Sequence, residues 1–374
     1  MYLIKPTMKY ISSIAAVALV MTVLFLSSCN NSPSTTALPG AWDKAGDFEG
    51  LPRSGAASFV LNGYAYVATG FNSDANVKLK DFWRYDPVGD SWQQLADFPG
   101  VGRSQAVAFS IGDKGYVGTG IDINNTRLSD FYEFDPAGGP IGSWKKIAPF
   151  AYDPALDTAS PRYGCVAFTV KDRGFVGGGF YFSTLKDLWE YKPADDTWTK
   201  RPSIGGTKRQ NAFVMVIDDY AYVGGGSDQG SFTSAVVDFY RFNVDSVDKN
   251  PWTPLTSLTG KDANGNAVVQ PRPRELAVAF VINGLGYLTT GSTGTDCWQY
   301  TPPQYNHDGT LKSGDSWIQY FSFTSNVPVS GAARSAAVGW AIGKYGYVTT
   351  GNSGSTRLDD CWRFDPTGVE PDNK

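Results

Sequence analysis

Six arginines recur at one position of a repeated unit, and each is followed seventeen residues later by a glycine. A variable stretch then leads to an aspartate that begins the pattern Asp-x-aromatic-x-aromatic. Two kinds of chemistry suit this combination: the guanidinium groups together bind an anion, or each pairs with the aspartate of its own unit. We favour pairing because the pattern occurs in every unit, and anion binding stays open. The arginines are Arg53, Arg103, Arg162, Arg209, Arg274 and Arg334, and the aspartates are Asp81, Asp130, Asp187, Asp238, Asp296 and Asp360.

A second set of residues departs from the repetition near the same positions. Directly after the arginine, Glu275 is the only acid and Tyr163 the only aromatic among the six units. Phe71, Phe180 and Tyr181 lie just past the glycine of their units. Aromatic rings beside polar groups suit the stacking of a sugar or the docking of a peptide. We therefore take these residues as candidate ligand contacts; packing of the rings against neighbouring units is the alternative.

The composition argues against several classes of site. A single histidine among 374 residues speaks against histidine-rich metal centres and against Ser-His or Cys-His nucleophile pairs, so neither a metal nor a cofactor is predicted. The formal net charge is −4, and no clustered basic excess is visible. Nucleic acid is therefore not an expected partner.

Short strands must position these residues. In the first unit, an apolar run at 56–61 is followed by the turn Asn62-Gly63, a partner strand at 64–69, and two further strands at 82–85 and 91–95. The pattern predicts a four-stranded antiparallel meander, repeated six times at intervals of 47 to 65 residues. In such a meander, the start of the first strand and the end of the second lie on one face. We call it the arginine face, because all six arginines stand there.

The two ends of the chain predict how the ring of units closes. The last unit lacks the tryptophan of the fourth strand, whereas Trp42 lies eleven residues before Arg53, the same spacing as Trp92 before Arg103. We expect the segment around Trp42 to supply the outer strand of the last unit, which would close the ring and cover an open edge.

The units resemble the Kelch motif. The resemblance rests on Gly178-Gly179 and Gly225-Gly226, on Tyr-Asp-Pro sequences and on the later tryptophan, and it covers residues 42–366. It implies an all-β, six-bladed propeller with four-stranded antiparallel blades. In eukaryotic adaptor Kelch domains, arginines of this register bind acidic peptides, which would make the six arginines ligand contacts. Galactose oxidase, a Kelch relative, holds copper with histidines and tyrosines; His307 is alone and expected on the opposite face, so that activity is not expected.

The N-terminal segment resembles a bacterial lipoprotein signal. Lys5 and Lys9 precede an apolar run at 11–26, which ends in Leu26-Ser27-Ser28-Cys29. We predict a signal peptide at 1–28, lipidation of Cys29, a tether at 29–41, the propeller at 42–366 and a tail at 367–374. An ordinary secretory signal is the alternative. Three cysteines remain, Cys165, Cys297 and Cys361, and an odd number cannot form a full disulfide set. Cys297 and Cys361 share one register and are predicted to be small buried residues, with a disulfide between them as the alternative.

These observations predict a monomeric propeller, anchored in the cell envelope as an outer-membrane lipoprotein on the periplasmic or surface side. It would bind a carbohydrate or protein ligand on the arginine face. One alternative is a sugar-modifying enzyme, because N-acetylneuraminate epimerase is a six-bladed Kelch protein that acts by acid–base chemistry near arginines, and Glu275 offers a comparable carboxylate. A second alternative is a scaffold in an envelope protein complex.

Overall fold

Six four-stranded antiparallel sheets make up the protein in the computed structural model, which describes residues 38–151, 160–228, 235–246, 250–261, 265–292, 294–306, 311–323 and 331–369. Each sheet is one blade. The first three blades comprise the strands Ala57–Leu61, Tyr64–Ala68, Phe82–Asp86 and Ser91–Gln94; Val107–Ile111, Lys114–Gly118, Phe131–Asp135 and Ser143–Ile147; Val166–Val170, Arg173–Gly177, Leu188–Lys192 and Thr197–Arg201. The last three comprise Phe213–Ile217, Tyr220–Gly224, Phe239–Asn243 and Trp252–Pro254; Val278–Ile282, Leu285–Thr289, Cys297–Thr301 and Ser316–Tyr320; Val338–Ile342, Tyr345–Thr349, Cys361–Asp365 and Ala41–Ala45.

The local sequence explains the blade geometry. The first strand of blade one alternates buried and half-buried residues, whereas nearly all of its second strand is buried. Asn62 and Gly63 join the two strands with φ values of 53° and 79°, the left-handed conformation that a tight hairpin requires. The second strand lies inside the sheet and the fourth at its edge. The predicted meander is confirmed in every blade.

Blade six is completed by the N-terminal strand, as predicted. Ala41–Ala45 pairs antiparallel with Cys361–Asp365, and Trp42 stands opposite Phe364. The Trp42 ring is 7 % exposed, with its centroid 4.8 Å from those of Phe364 and Phe323. The closed ring therefore leaves no blade without its outer strand.

The hydrophobic core lies between adjacent blades rather than in one central mass. Phe82 of blade one packs edge-on against Phe134 of blade two, with ring centroids 4.7 Å apart. Tyr85 contacts Tyr347 of blade six in the same way. Such pairing of neighbouring repeats is how a propeller distributes its buried area. Cys165, Cys297 and Cys361 are buried in these layers as free thiols, which confirms the prediction for Cys297 and Cys361.

Three small hairpins extend from the blades. Two lie on the arginine face, and one extends from the opposite face; they are Phe71–Asn72 with Val77–Lys78, Asn352–Ser353 with Thr356–Arg357, and Gln304–Tyr305 with Leu311–Ser313. None of the described residues forms a helix that is long and apolar enough to cross a bilayer. Cys29, the predicted signal peptide, most of the predicted tether and His307 lie outside the described residues.

Candidate functional site

The repeated arginines are bound within their own blades. Arg103 is fully buried; its Nη1 and Nη2 donate to the two carboxylate oxygens of Asp130 at 2.6 and 2.7 Å. Nη1 also donates to the Thr119 carbonyl at 3.0 Å, and Nε to the Val101 carbonyl at 3.0 Å. Equivalent ion pairs occur in every blade: Arg53–Asp81, Arg103–Asp130, Arg162–Asp187, Arg209–Asp238, Arg274–Asp296 and Arg334–Asp360.

Aromatic side chains support these ion pairs. The guanidinium carbon of Arg103 lies 4.7 Å from the Phe98 ring centroid, a cation–π distance that three other blades share. A tryptophan two residues after the aspartate adds a hydrogen bond in four blades, as in Trp83 Nε1 to Asp81 Oδ2 at 2.7 Å. The carboxylate thus receives donors from an arginine and an indole, and each arginine side chain is at most 2 % exposed.

The pKa of three of these aspartates reflects the pairing. Burial raises the pKa of Asp187, but the hydrogen bond and charge of Arg162 outweigh burial, so the net pKa is lowered. In the same way, Arg274 lowers the pKa of Asp296 and Arg334 lowers that of Asp360, and each arginine outweighs the effect of burial. These carboxylates are therefore charged in the fold at neutral pH.

The same arginines join neighbouring blades through their backbone. The amide of Gly70 in blade one donates to the carbonyl of Arg103 in blade two at 2.8 Å. The other five glycines of this register make the same bond to the next arginine, and the bond from Gly351 to Arg53 completes the circle. Gly70 has a φ of 111°, and a Cβ there would stand 3.1 Å from Cδ of Arg53. A side chain at this position would therefore disturb both the turn and the arginine.

A second ring of backbone hydrogen bonds surrounds the central channel on the arginine face. The residue two positions after each arginine donates its amide to the equivalent carbonyl of the preceding blade, as in Gln105 to Gly55 at 2.7 Å. All six have a positive φ, which is costly for Leu276 at 56°. The members are Gly55, Gln105, Gly164, Asn211, Leu276 and Ala336. The two rings therefore link each blade to the next through backbone hydrogen bonds on this face.

The geometry consequently favours the pairing hypothesis for the six arginines. Nearly all of their donors are directed to carboxylates and carbonyls of the same blade, Arg274 Nη2 having no partner among the described residues, and their side chains are closed to solvent. The side chains left to contact a ligand on this face are those of residues that depart from the six-fold pattern. Among the described residues, no group of three His, Cys, Asp or Glu side chains is arranged to hold a metal ion.

The structure brings three predicted residues together in blade three. The Tyr163 and Phe180 rings lie 5.6 Å apart, and the backbones of the two residues form a β-bridge. Burial raises the pKa of Tyr163, and the nearby charge of Arg127 lowers it by less. The Tyr181 ring lies 4.2 Å from that of Phe182, which is 77 % exposed. These rings form an aromatic patch, defined here as Tyr163, Phe180, Tyr181 and Phe182.

Glu275 lies apart from this patch, at the boundary of blades four and five. It is 5 % exposed, and its Oε2 accepts hydrogen bonds from Ser227 Oγ at 2.6 Å and Asn211 Nδ2 at 3.1 Å. No described cation lies within salt-bridge distance of this carboxylate. Phe71, the remaining predicted residue, lies at the boundary of blades six and one, where Arg53 and Leu358 form a bridge.

Three cations that the sequence analysis missed also face this surface. Lys78, Arg127 and Arg357 each stand three residues before the aspartate of their blade. The backbone of each forms a β-pair with the residue directly after the repeated glycine of that blade. They belong to blades one, two and six, which are consecutive in the closed ring. We call them the cation arc. Counting three residues back from each aspartate could have found them in the sequence. At that position the other three blades have the uncharged residues Thr184, Ala235 and Thr293.

Comparison with known proteins agrees with the architecture. The family model for the Kelch motif matches residues 52–99, which span blade one. No curated protein sequence matches the chain. A solved structure titled "Structure of YjhT" superposes with a TM-score of 0.62 at 16 % identity, covering 84 % of this chain and 95 % of that one. At this identity the likeness shows the fold alone. The chain is therefore a six-bladed β-propeller, and its first blade carries a Kelch motif.

Proposed function

We propose that this propeller is a binding module that receives a carbohydrate ligand on the arginine face. The observation that carries the proposal is the aromatic patch of blade three, where rings project from a face whose repeated side chains are otherwise bound within the blades. Aromatic rings stack on the C–H faces of sugars, and polar loop residues then orient the hydroxyl groups. The two backbone rings support this function because they join neighbouring blades beside the aromatic patch without any ligand.

A glycan array tests this proposal with the soluble chain from Leu38 onward. We expect binding that the double substitution Tyr181→Ala and Phe182→Ala weakens about tenfold or more, with an unchanged melting temperature. Val88→Ala is the matched control, because Val88 is 94 % exposed on a turn of the opposite face. Equal binding by the parent and the double variant, or binding to proteins and to no glycan, would contradict a carbohydrate site on this patch.

A second candidate function is acid–base chemistry on a sugar, and Glu275 favours it. Among the described residues, this buried carboxylate receives side-chain hydrogen bonds from the neutral donors Ser227 and Asn211, and a carboxylate beside a bound sugar is a common acid–base group. Following the interconversion of the anomers of N-acetylneuraminate by NMR tests this function. Acceleration by the parent that Glu275→Gln abolishes would support it, whereas equal rates with and without protein would leave binding as the whole function.

We also propose that the module is attached to the cell envelope through a lipid on Cys29. The Leu-Ser-Ser-Cys sequence after the apolar run supports this attachment, and the polar residues that follow would act as its tether.

A further inference from the structure

Two members of the cation arc flank a single aromatic ring. Lys78 Nζ lies 5.0 Å from the centroid of the Phe71 ring, and the guanidinium carbon of Arg357 lies 5.3 Å from it. Lys78 also donates to Ser104 Oγ of blade two, and Arg357 Nη1 donates to the Ser355 carbonyl at 3.0 Å. Blades six, one and two therefore contribute to one cluster with two positive charges beside Phe71.

The described part of the chain supplies no close counter-charge for this cluster. Among the described residues, no carboxylate lies within salt-bridge distance of Lys78, Arg127 or Arg357. Asp122 and Asp74 attract Lys78 and Arg357 from farther away. The Asp122 carboxylate is engaged in its own turn, because Oδ1 accepts from the amides of Asn124 and Thr126 at 2.9 and 2.7 Å.

Burial makes this positive charge costly. It is the largest cause that lowers the pKa of Lys78, and the charge of Arg357 adds to it while Asp122 opposes it. Burial likewise lowers the pKa of Arg357, against the attraction of Asp74. Partly desolvated cations without a paired anion are stabilised when a ligand brings the missing negative charge.

Arg127 connects this cluster with the aromatic patch. Its guanidinium carbon lies 5.7 Å from the Phe180 ring centroid and 5.6 Å from that of Phe182. Nε of Arg127 and Nε of Arg357 are buried without a hydrogen-bond partner among the described residues. Thr184 occupies the same register in the next blade and donates to Asp228, so the positive side of the face ends there.

We propose that the cation arc binds the anionic group of an acidic saccharide, whose ring stacks on the neighbouring aromatic side chains. This inference deepens the carbohydrate-binding function proposed above and rests on it. Carboxylated and sulfated sugars share the chemistry that the arc recognises, because lysine and arginine donate to either group. The acidic side of the face, with Glu275 and Asp228, would disfavour a ligand that carries negative charge along its whole length.

The experiment compares a carboxylated saccharide with its uncharged methyl ester and adds a sulfated saccharide as a second anion. Binding of the chain from Leu38 onward is measured by calorimetry with galacturonic-acid oligosaccharides, with their methyl esters, and with sulfated galactan oligosaccharides. We expect the acid to bind about tenfold or more tightly than its ester. We also expect binding to weaken as NaCl rises from about 0.05 M to about 0.3 M. Comparison of the affinities for the galacturonic-acid and the sulfated oligosaccharides shows whether the cation arc prefers a carboxylate or a sulfate.

Two variants locate the effect. The double substitution Lys78→Gln and Arg357→Gln should weaken acid binding about tenfold or more while it leaves ester binding unchanged. Arg84→Gln is the matched control, because Arg84 is also a half-buried arginine. Its guanidinium carbon lies 4.6 Å from the Tyr64 ring centroid, and its Nη2 donates to Gln93 Oε1. Removal of like charges should leave the melting temperature of the double variant unchanged or higher.

The outcomes separate the two proposals. If the acid and its ester bind equally and the Tyr181/Phe182 variant loses both, the carbohydrate site stands and the role of the cation arc is wrong. If acid binding survives in the Lys78/Arg357 variant, the anion binds elsewhere and the inference is also wrong. Binding to none of these saccharides and to none on the glycan array would overturn both proposals.

Discussion

Replacing Arg103 by alanine should destabilise the propeller substantially. The substitution removes two hydrogen bonds to Asp130, two to backbone carbonyls and the stacking on Phe98. Breaking a buried ion pair costs about 3–5 kcal/mol. Asp130 is 23 % exposed, so water solvates part of the abandoned carboxylate and reduces that cost. We therefore expect the free energy of unfolding to fall by about 3 kcal/mol.

A comparison between blades makes this prediction sharper. After the arginine is removed, each aspartate keeps one side-chain partner: Asp81 accepts from Trp83, and Asp130 of blade two accepts from Tyr132 at the same position. The losses of stability for Arg53→Ala and Arg103→Ala should accordingly agree within about 1 kcal/mol. Urea denaturation followed by tryptophan fluorescence measures both, and Arg84→Ala, with no ion pair, should cost about 1 kcal/mol or less. An Arg103→Ala variant no less stable than Arg84→Ala would refute the pairing account, and a loss of ligand affinity alone would favour anion binding by these arginines.

Three further predictions concern closure, acid stability and anchoring. Trp42→Ala should lower stability by about 3–5 kcal/mol, because the ring is buried against Phe323 and Phe364 in the closing strand; an unchanged melting temperature would contradict this role. Asp187, Asp296 and Asp360 have pKa values below the ordinary one, so the stability that they contribute is fully present above about pH 4 and is lost as the pH falls through their lowered pKa values. Asp187→Asn should flatten this acid dependence in denaturant titrations, and a curve parallel to that of the parent would count against it. Cys29→Ser should move the protein out of the membrane fraction, and a wild-type N-terminal peptide without an acyl group in mass spectrometry would exclude lipidation.

The sequence is sufficient to predict the blades and the closing strand because those features recur with fixed spacing. Arg103 and Asp130 stand at matched positions in their unit, and Trp42 repeats the spacing of Trp92. Strand order places Arg103 and Asp130 at one end of the same blade, which made pairing one of two predicted arrangements, and the structure shows the ion pair.

The cation arc could not be found in the same way. Its members lie eight, seven and six residues after the glycine of their blades, so counting from that glycine does not align Lys78, Arg127 and Arg357. Their positions align only when counted back from the aspartate, across a loop of variable length. The backbone rings were also missed, because amide and carbonyl groups of different blades meet only after the ring closes. The bond between Ser227 and Glu275 likewise joins residues that are 48 positions apart.

The central claim is that residues departing from the six-fold pattern on the arginine face contact the ligand, while the repeated arginines hold the blades together. Hydrogen exchange measured with and without bound acidic saccharide tests this claim most directly. We predict increased protection in the segments 71–78, 180–182 and 352–357, and unchanged exchange in the opposite-face turns at 86–91 and 135–143. Protection confined to those turns, or to no part of the arginine face, would contradict the claim.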